Sequence, residues 1–414
     1  MRILFIHQNF PGQFKHLAPA LAARGHEVVA LGINQPSVPT PGVKVVLHRP
    51  QFTVTAASTD PDTTALHELR KKMERGMSVA RALEALQRSG FTPDLVCAHS
   101  GWGEAFYIKD VFPQAKLLVY AEYFYQANGG DSHFDPEFSH PVEGDQRRLH
   151  TKNMHLMHAL AHADRGLSPT LFQRDRHPAA LRERIEVIHD GIDTGRFAPD
   201  TQAFISLRNA GIRLTAQDEV VTFAVRELEP YRGYHIFMRA LPELLARRPN
   251  AHVIIVGGSG ASYGAAAPTG TTWRKVFHDE VAERIDHQRV HFVGKLPHAT
   301  LTQLMQVSTV HAYLTYPFVL SWSLMEAMSI GCLIVASDTA PVQEHIRHGE
   351  NGLLVDFFDP QALANTIAQA IEQREQLREL RTAARSHVVA NLDLNGICLP
   401  AQINLMSRIV NAPL

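Results

Sequence analysis

The chain is 414 residues long, with a formal net charge of −1 and charged residues making up 20% of it. That length exceeds what one ordinary core organises and favours two domains, while near-neutrality excludes recruitment of nucleic acid by a global positive field. The three cysteines, Cys97, Cys332 and Cys398, are few and widely separated; the first two sit in apolar strand-like runs, which points to reduced, buried thiols and a cytoplasmic protein.

The opening MRILFIHQNF carries one Arg and only a short apolar run, Ile3–Ile6, too short for a secretory h-region, and no apolar run reaches membrane-spanning length. A soluble or peripheral protein is expected. Ile3–Ile6 reads as a buried strand, His7–Gln13 as a glycine turn, His16–Ala23 as a helix and Val28–Leu31 as the next strand, a βαβ opening. Gly12 in that turn serves either the turn itself or a site. Residues 52–64, rich in Thr, Ser, Asp and Pro, read as a loop, and Asp60 and Asp62 within it as solvated carboxylates rather than a cation site. His67–Gln87 reads as a long amphipathic helix bearing Arg70, Lys71, Lys72, Arg75 and Arg81, either a solvated face or a contact with an anionic lipid surface.

Asp94–Ala98 is a strand that delivers His99-Ser100-Gly101-Trp102-Gly103-Glu104 at its carboxyl end. In open α/β sheets ligands bind at that edge, so His99 is a candidate catalytic residue, with a structural hydrogen bond as the alternative. Leu117–Ala121 opens in the same way into Glu122, Tyr123, Phe124 and Tyr125. Carboxylate plus aromatics suit a sugar ring and its hydroxyls, and ordinary packing equally. His158 and His162 are an i, i+4 pair with no third ligand at a motif spacing, so a polar helix face is expected and no metal site.

After Ile185–Ile188, residues 194–218 read as a linker that includes a polar helix up to Gly211. Val220–Val225 begins the second domain, and Arg226 and Arg232 flank its first strand-to-helix turn. Guanidinium groups there suit a diphosphate, because the planar fork matches phosphate oxygens and stays charged. Ala251–Val256 runs into the glycine turn Gly257–Gly260, and Val290–Val293 into Gly294-Lys295-Leu296-Pro297. Ala312–Ser337 then reads as strand, proline-bounded turn, short helix, Gly331 stop and strand, with Ser321 and Ser323 as N-cap hydroxyls. Backbone amides near Ser321–Trp322 would face an anion at the sheet's carboxyl edge. Glu326, about one turn into that helix among apolar neighbours, needs a partner.

This last stretch resembles the donor-site signature of the family-4 retaining glycosyltransferases. The resemblance covers nearly the whole chain and implies an α/β GT-B fold, two facing Rossmann-like domains with a central cleft. The boundaries expected are 1–200 for the acceptor-side domain, 215–390 for the nucleotide-sugar domain, and 391–414 for a carboxyl-terminal helix crossing back onto the first. By the same resemblance Gly12 approaches the donor phosphates, His99 the donor sugar, backbone groups at Leu296 the nucleobase, and Glu326 the ribose hydroxyls. Phe318, Leu320, Ser321 and Trp322 complete the donor-binding set, and Gln13, Glu122, Tyr123 and Tyr125 the acceptor side. The sequence departs from the family at Phe318, where a first carboxylate is expected. Catalysis is assigned to His99, Arg226, Arg232 and Glu326, with no cofactor and no metal. The partners are a nucleotide-sugar donor and an acceptor hydroxyl on a saccharide or lipid-linked molecule, and the protein sits in the cytoplasm or at the inner face of the membrane. Two rivals share the donor contacts: an epimerase of the same fold, needing no acceptor, and a non-catalytic nucleotide-sugar-binding subunit, suggested by Phe318.

Overall fold

The structure is a computed structural model that describes residues 1–55, 58, 60–207 and 210–411. Ala56, Ala57 and Thr59 of the expected loop, and Arg208 and Asn209 of the expected linker, lie outside the described residues. The chain divides into two compact units, Met1–Gly191 with Asn395–Leu414, and Ile192–Leu394.

The first unit is built on a parallel sheet of β1 (Arg2–Ile6), β2 (Glu27–Gly32), β3 (Val43–Leu47), β4 (Leu95–His99), β5 (Lys116–Tyr120), β6 (Arg165–Ser168) and β7 (Ile185–Val187). Their order is β3-β2-β1-β4-β5-β6-β7. Alternate residues of β1 enter opposite cores: Leu4 and Ile6 pack with Val79, Leu83 and Leu160, and Ile3 and Phe5 with Leu17, Leu21, Leu405 and Met406. A parallel sheet covered on both faces has to be apolar on both, so its strands read as unbroken apolar runs. The tail belongs to this unit, its helix Leu399–Val410 covering the second face.

Three segments differ from the sequence reading. The helix Pro61–Arg88 begins six residues before His67, with Pro61 at its first position and Asp60 as N-cap, its carboxylate accepting from Thr63 N at 2.7 Å. Asp62 is drawn off to Arg147 at 3.1 Å, which splits the acidic pair. The polar helix expected before Gly211 is instead an antiparallel pair, β8 (Phe204–Leu207) and β9 (Ile212–Thr215). Ile205, Leu207 and Leu214 are buried while Phe204 is exposed, a period of two that suits a strand. With Phe197 these residues join the core of the second unit, so the stretch expected as a linker is packed. The amphipathic tail is interrupted: the helix Arg378–Leu392 ends, a π-turn spans Leu394–Cys398, and a new helix starts at Leu399.

The second unit repeats the plan with β10 (Val220–Glu227), β11 (His252–Gly258), β12 (Val290–Gly294), β13 (Val310–Tyr313), β14 (Leu333–Ser337) and β15 (Leu353–Val355), in the order β12-β11-β10-β13-β14-β15. In both sheets the strand order reverses beside the first strand, between β1 and β4 and between β10 and β13. Chains leaving those two neighbours in opposite directions open a crevice at their carboxyl ends. Each unit therefore offers one such place.

Candidate active site

In the first unit the crevice is lined by His7 after β1, His99 at the end of β4, and Glu122 just beyond β5. His7 Nδ1 accepts from Asn9 N at 3.0 Å, so the neutral ring carries its proton on Nε2, which lies 2.8 Å from Gln13 Oε1. Gln13 Nε2 then donates to Glu122 Oε1 at 2.8 Å. His99 Nδ1 likewise accepts from Gly101 N at 3.0 Å, which leaves its Nε2–H facing Glu122 Oε2 at 3.5 Å. Burial lowers His7 to about 3, aided by the neighbouring His99, so it is neutral at physiological pH. Gly12 is at φ +49°, and a Cβ there would come within 2.3 Å of His7 Nε2, so the turn needs glycine for the His7–Gln13 contact to form.

His99 is enclosed. Trp102 stacks on it at 4.4 Å and Tyr120 at 5.2 Å, with the His7 ring edge-on at 5.1 Å. Of the His99–Glu122 pair it is Glu122 that reaches the surface, its side chain 26% exposed against 0% for His99. The structure thus brings Gly12, Gln13, His99 and Glu122 together. It draws Tyr123 and Tyr125 elsewhere: the Tyr123 hydroxyl meets Asp131 at 3.1 Å, and Lys152 Nζ lies over the Tyr125 ring at 3.3 Å.

In the second unit Arg232 follows β10 and is buried. Its Nη1 donates to Thr315 Oγ1 at 2.8 Å and to Val319 O at 3.3 Å, while its guanidinium lies 5.0 Å from the Tyr263 ring. Phe318 is 4% exposed and packs against Tyr231 and Tyr263, each at 5.2 Å. Arg226 is exposed at the end of the same strand. The helix Trp322–Ile330 begins at Ser321 as expected, but several of its leading amides are already engaged: Ser321 N donates to Tyr313 Oη, Ser323 N to Ser321 Oγ and Leu324 N to Ser321 O. Leu320 is buried and Trp322 packs partly buried against the core, so these side chains support the turn. Glu326 has the partner its burial demanded, His298 Nε2 at 3.1 Å. Leu296 sits in the turn after edge strand β12, half-buried against the core and two residues before the His298 that meets Glu326.

Two carboxylates that the sequence reading passed over organise the glycine turn after β11. Glu227 accepts from Gly260 N at 2.8 Å and pairs with Lys295; buried Glu229 accepts from the amides of Ser262, Tyr263 and Gly264. The signal lay in Glu227 and Glu229 standing two apart at the end of the run that begins at Val220, since a carboxylate at a strand end is a ready acceptor for turn amides; the pairing of β10 with β11 brings the glycine turn to them. Trp102 was also passed over, although it adjoins His99 in the quoted turn.

Residues 24–197 match the model of the glycosyl transferase family 4 group, and residues 209–387 that of the glycosyl transferases group 1. The chain belongs to these glycosyltransferases. Among relatives, it is 32% identical to a D-inositol 3-phosphate glycosyltransferase of Corynebacterium efficiens over 48% of this chain and 45% of the other. It is 29% identical to a GDP-mannose-dependent alpha-(1-6)-phosphatidylinositol monomannoside mannosyltransferase of Mycobacterium tuberculosis over 50% of this chain and 51% of that one. The matched region thus spans about half the length of these curated relatives. Among solved structures, sucrose-phosphate synthase from Thermosynechococcus elongatus superposes with a TM-score of 0.70 at 20% identity, covering 99% of this chain and 98% of the other. Anabaena HepE in complex with UDP gives 0.66 at 19% identity, covering 98% and 100%. These likenesses show the GT-B fold of the glycosyltransferase chain.

Proposed function

We propose that the protein transfers a sugar from a nucleoside diphosphate donor to an acceptor hydroxyl, with retention at the anomeric carbon and without a divalent metal, in glycan or glycoconjugate synthesis. The observation that carries this reading is Arg232, buried at the switch point of the second sheet with Nη1 anchored to Thr315 and Val319. A fixed, permanently charged group at that edge stabilises the negative charge that develops on a departing diphosphate. The bond between the anomeric carbon and the phosphate oxygen breaks, the acceptor oxygen bonds to that carbon from the same face, and its proton passes to the leaving phosphate. Arg226 adds charge, Glu326 holds the ribose hydroxyls, and Leu296 backbone groups meet the base.

The relatives' acceptors, an inositol phosphate and a phosphatidylinositol mannoside, support a polyol or a lipid-linked polyol as acceptor class. No helix among the described residues is long and apolar enough to cross a membrane. The helix Pro61–Arg88 exposes Leu66, Met73 and Met77 beside Arg70, Lys71 and Arg81, and this face supports peripheral contact with anionic lipid at the cytoplasmic surface.

A panel of UDP-, GDP- and ADP-sugars tested by thermal shift decides the matter. A true donor at a hundred times its Kd adds about 2.7 kcal/mol of stability by linkage. A flat response to every nucleotide sugar would overturn the reading.

A further inference from the structure

The chain of groups in the first unit has one internally consistent set of proton positions. Asn9 N occupies His7 Nδ1 and Gly101 N occupies His99 Nδ1, so both rings carry their proton on Nε2. The Gln13 amide is oriented from both sides, its oxygen by the His7 N–H and its nitrogen by Glu122, which as a carboxylate can only accept. Every donor then points one way, from His7 through Gln13 to Glu122 Oε1 on one side and from His99 to Oε2 on the other. Glu122 is where the hydrogen bonds converge, and it is the member of its pair with His99 that is open to solvent.

We propose that His7 is a positioning residue for substrate recognition: acting through the Gln13 amide it fixes the Glu122 carboxylate, and Glu122, rather than the enclosed His99, takes the hydroxyl hydrogen of a neutral sugar. This rests on the transferase reading and names the first unit's hydroxyl-binding group. His99 lies between the Trp102 and Tyr120 rings, and its one remaining polar edge faces Glu122. At 3.5 Å the Nε2–H is too far for a good hydrogen bond, and it has no other partner among the described residues. It therefore closes on the carboxylate when a ligand draws Glu122 into place, which makes His99 a second support for Glu122. Because the convergence point is an anion with two N–H donors directed at it, its remaining lone pairs suit a hydroxyl donor and repel a phosphate or carboxylate. The neutral His7 acts by hydrogen bonding alone. Gly12 leaves the room for that contact.

A double-mutant cycle on the full chain tests this, using whichever sugar nucleotide the thermal-shift panel selects. His7→Phe and Gln13→Leu should each lower kcat/KM about ten- to a hundredfold, the penalty for a misplaced group, while His7→Gln, whose amide N–H replaces the Nε2–H, stays within a few-fold of wild type. In a Glu122→Ala background neither His7→Phe nor Gln13→Leu should cost anything further. Additive losses, or His7→Gln failing as badly as His7→Phe, would overturn the proposal. A second readout needs no turnover: two-bond ¹H–¹⁵N spectra of histidine-labelled protein should show His7 as the Nε2–H tautomer with a slowly exchanging proton that becomes fast in Gln13→Leu. A fast-exchanging proton in the wild type, or one unaffected by Gln13→Leu, also overturns it. Should no sugar nucleotide be bound or turned over, the transferase reading fails by itself, and the spectrum still decides the relay.

Discussion

His298 Nε2 lies 3.1 Å from Glu326 Oε2, a contact between residues 28 apart in sequence that holds the one charged side chain of the helix Trp322–Ile330. The His298 side chain is 42% exposed and that of Glu326 11%, so the histidine shields the carboxylate without sealing it. With the carboxylate on the ribose, Glu326→Ala should weaken nucleoside diphosphate binding by about 1.5–3 kcal/mol, the range for a hydrogen bond to a charged group. Calorimetry with the bare diphosphate should report the same loss as the full donor. A change smaller than threefold in Kd would remove Glu326 from the ribose.

Arg232→Ala and Arg226→Ala should separate. Both should cut turnover by about 10²–10³-fold as donors to the leaving group. Only Arg232 is buried and tied to Thr315 and Val319, so only its loss should also lower Tm. Arg232→Lys should recover little activity, because an ammonium lacks the planar fork. Equal melting curves for the two alanine variants would show that the buried contacts are inert.

Phe318→Glu restores the family's residue type but not its environment. The side chain would stand among Tyr231 and Tyr263 at a position 4% exposed, and an uncompensated charge there costs several kcal/mol. The variant should melt well below the wild type and lose activity on the native donor. A gain of activity over an inert wild type, across a broad donor and acceptor panel, would favour a non-catalytic nucleotide-sugar-binding protein instead.

Burial pushes the Glu104 carboxyl up from 4.5 to about 7, against the pull of Arg75 at 3.7 Å. Between those two values the unfolded chain has released this proton and the folded one keeps it, so the Glu104 contribution to stability falls as pH rises from 4.5 to 7. Glu104→Gln should remove that contribution, so the Tm of the variant relative to wild type should rise from pH 5 to about pH 7.5. Buried His7 and His155 act on the acid side: each is lowered from 6.5 to about 3, so protons bind the unfolded chain first and stability drops as pH falls below 6.5. Parallel pH–Tm curves for wild type and Glu104→Gln would rule out a raised Glu104.

If Arg226 and Arg232 supply the charge that a divalent ion would otherwise bring, turnover should survive EDTA unchanged. Abolition by chelator with recovery in Mg²⁺ or Mn²⁺ would show a metal-bound diphosphate.

The sequence by itself determined the alternation of apolar runs, glycine turns and amphipathic helices, and with it two α/β units with residues such as His99 and Arg232 at strand ends. Those features are local: a residue's place on its own strand or turn follows from the few residues around it. It also required a partner for Glu326, because a lone carboxylate among apolar neighbours is costly. The tertiary structure alone supplied that partner as His298, joined Gln13 to Glu122 across 109 residues, and enclosed His99 between Trp102 and Tyr120. It also paired Phe204–Leu207 with Ile212–Thr215 as antiparallel strands, since the exposure of Phe204 beside buried Ile205 depends on a core that the short segment does not contain. Parallel strand order decides which distant strand ends become neighbours, and that order is set by packing across the whole sheet.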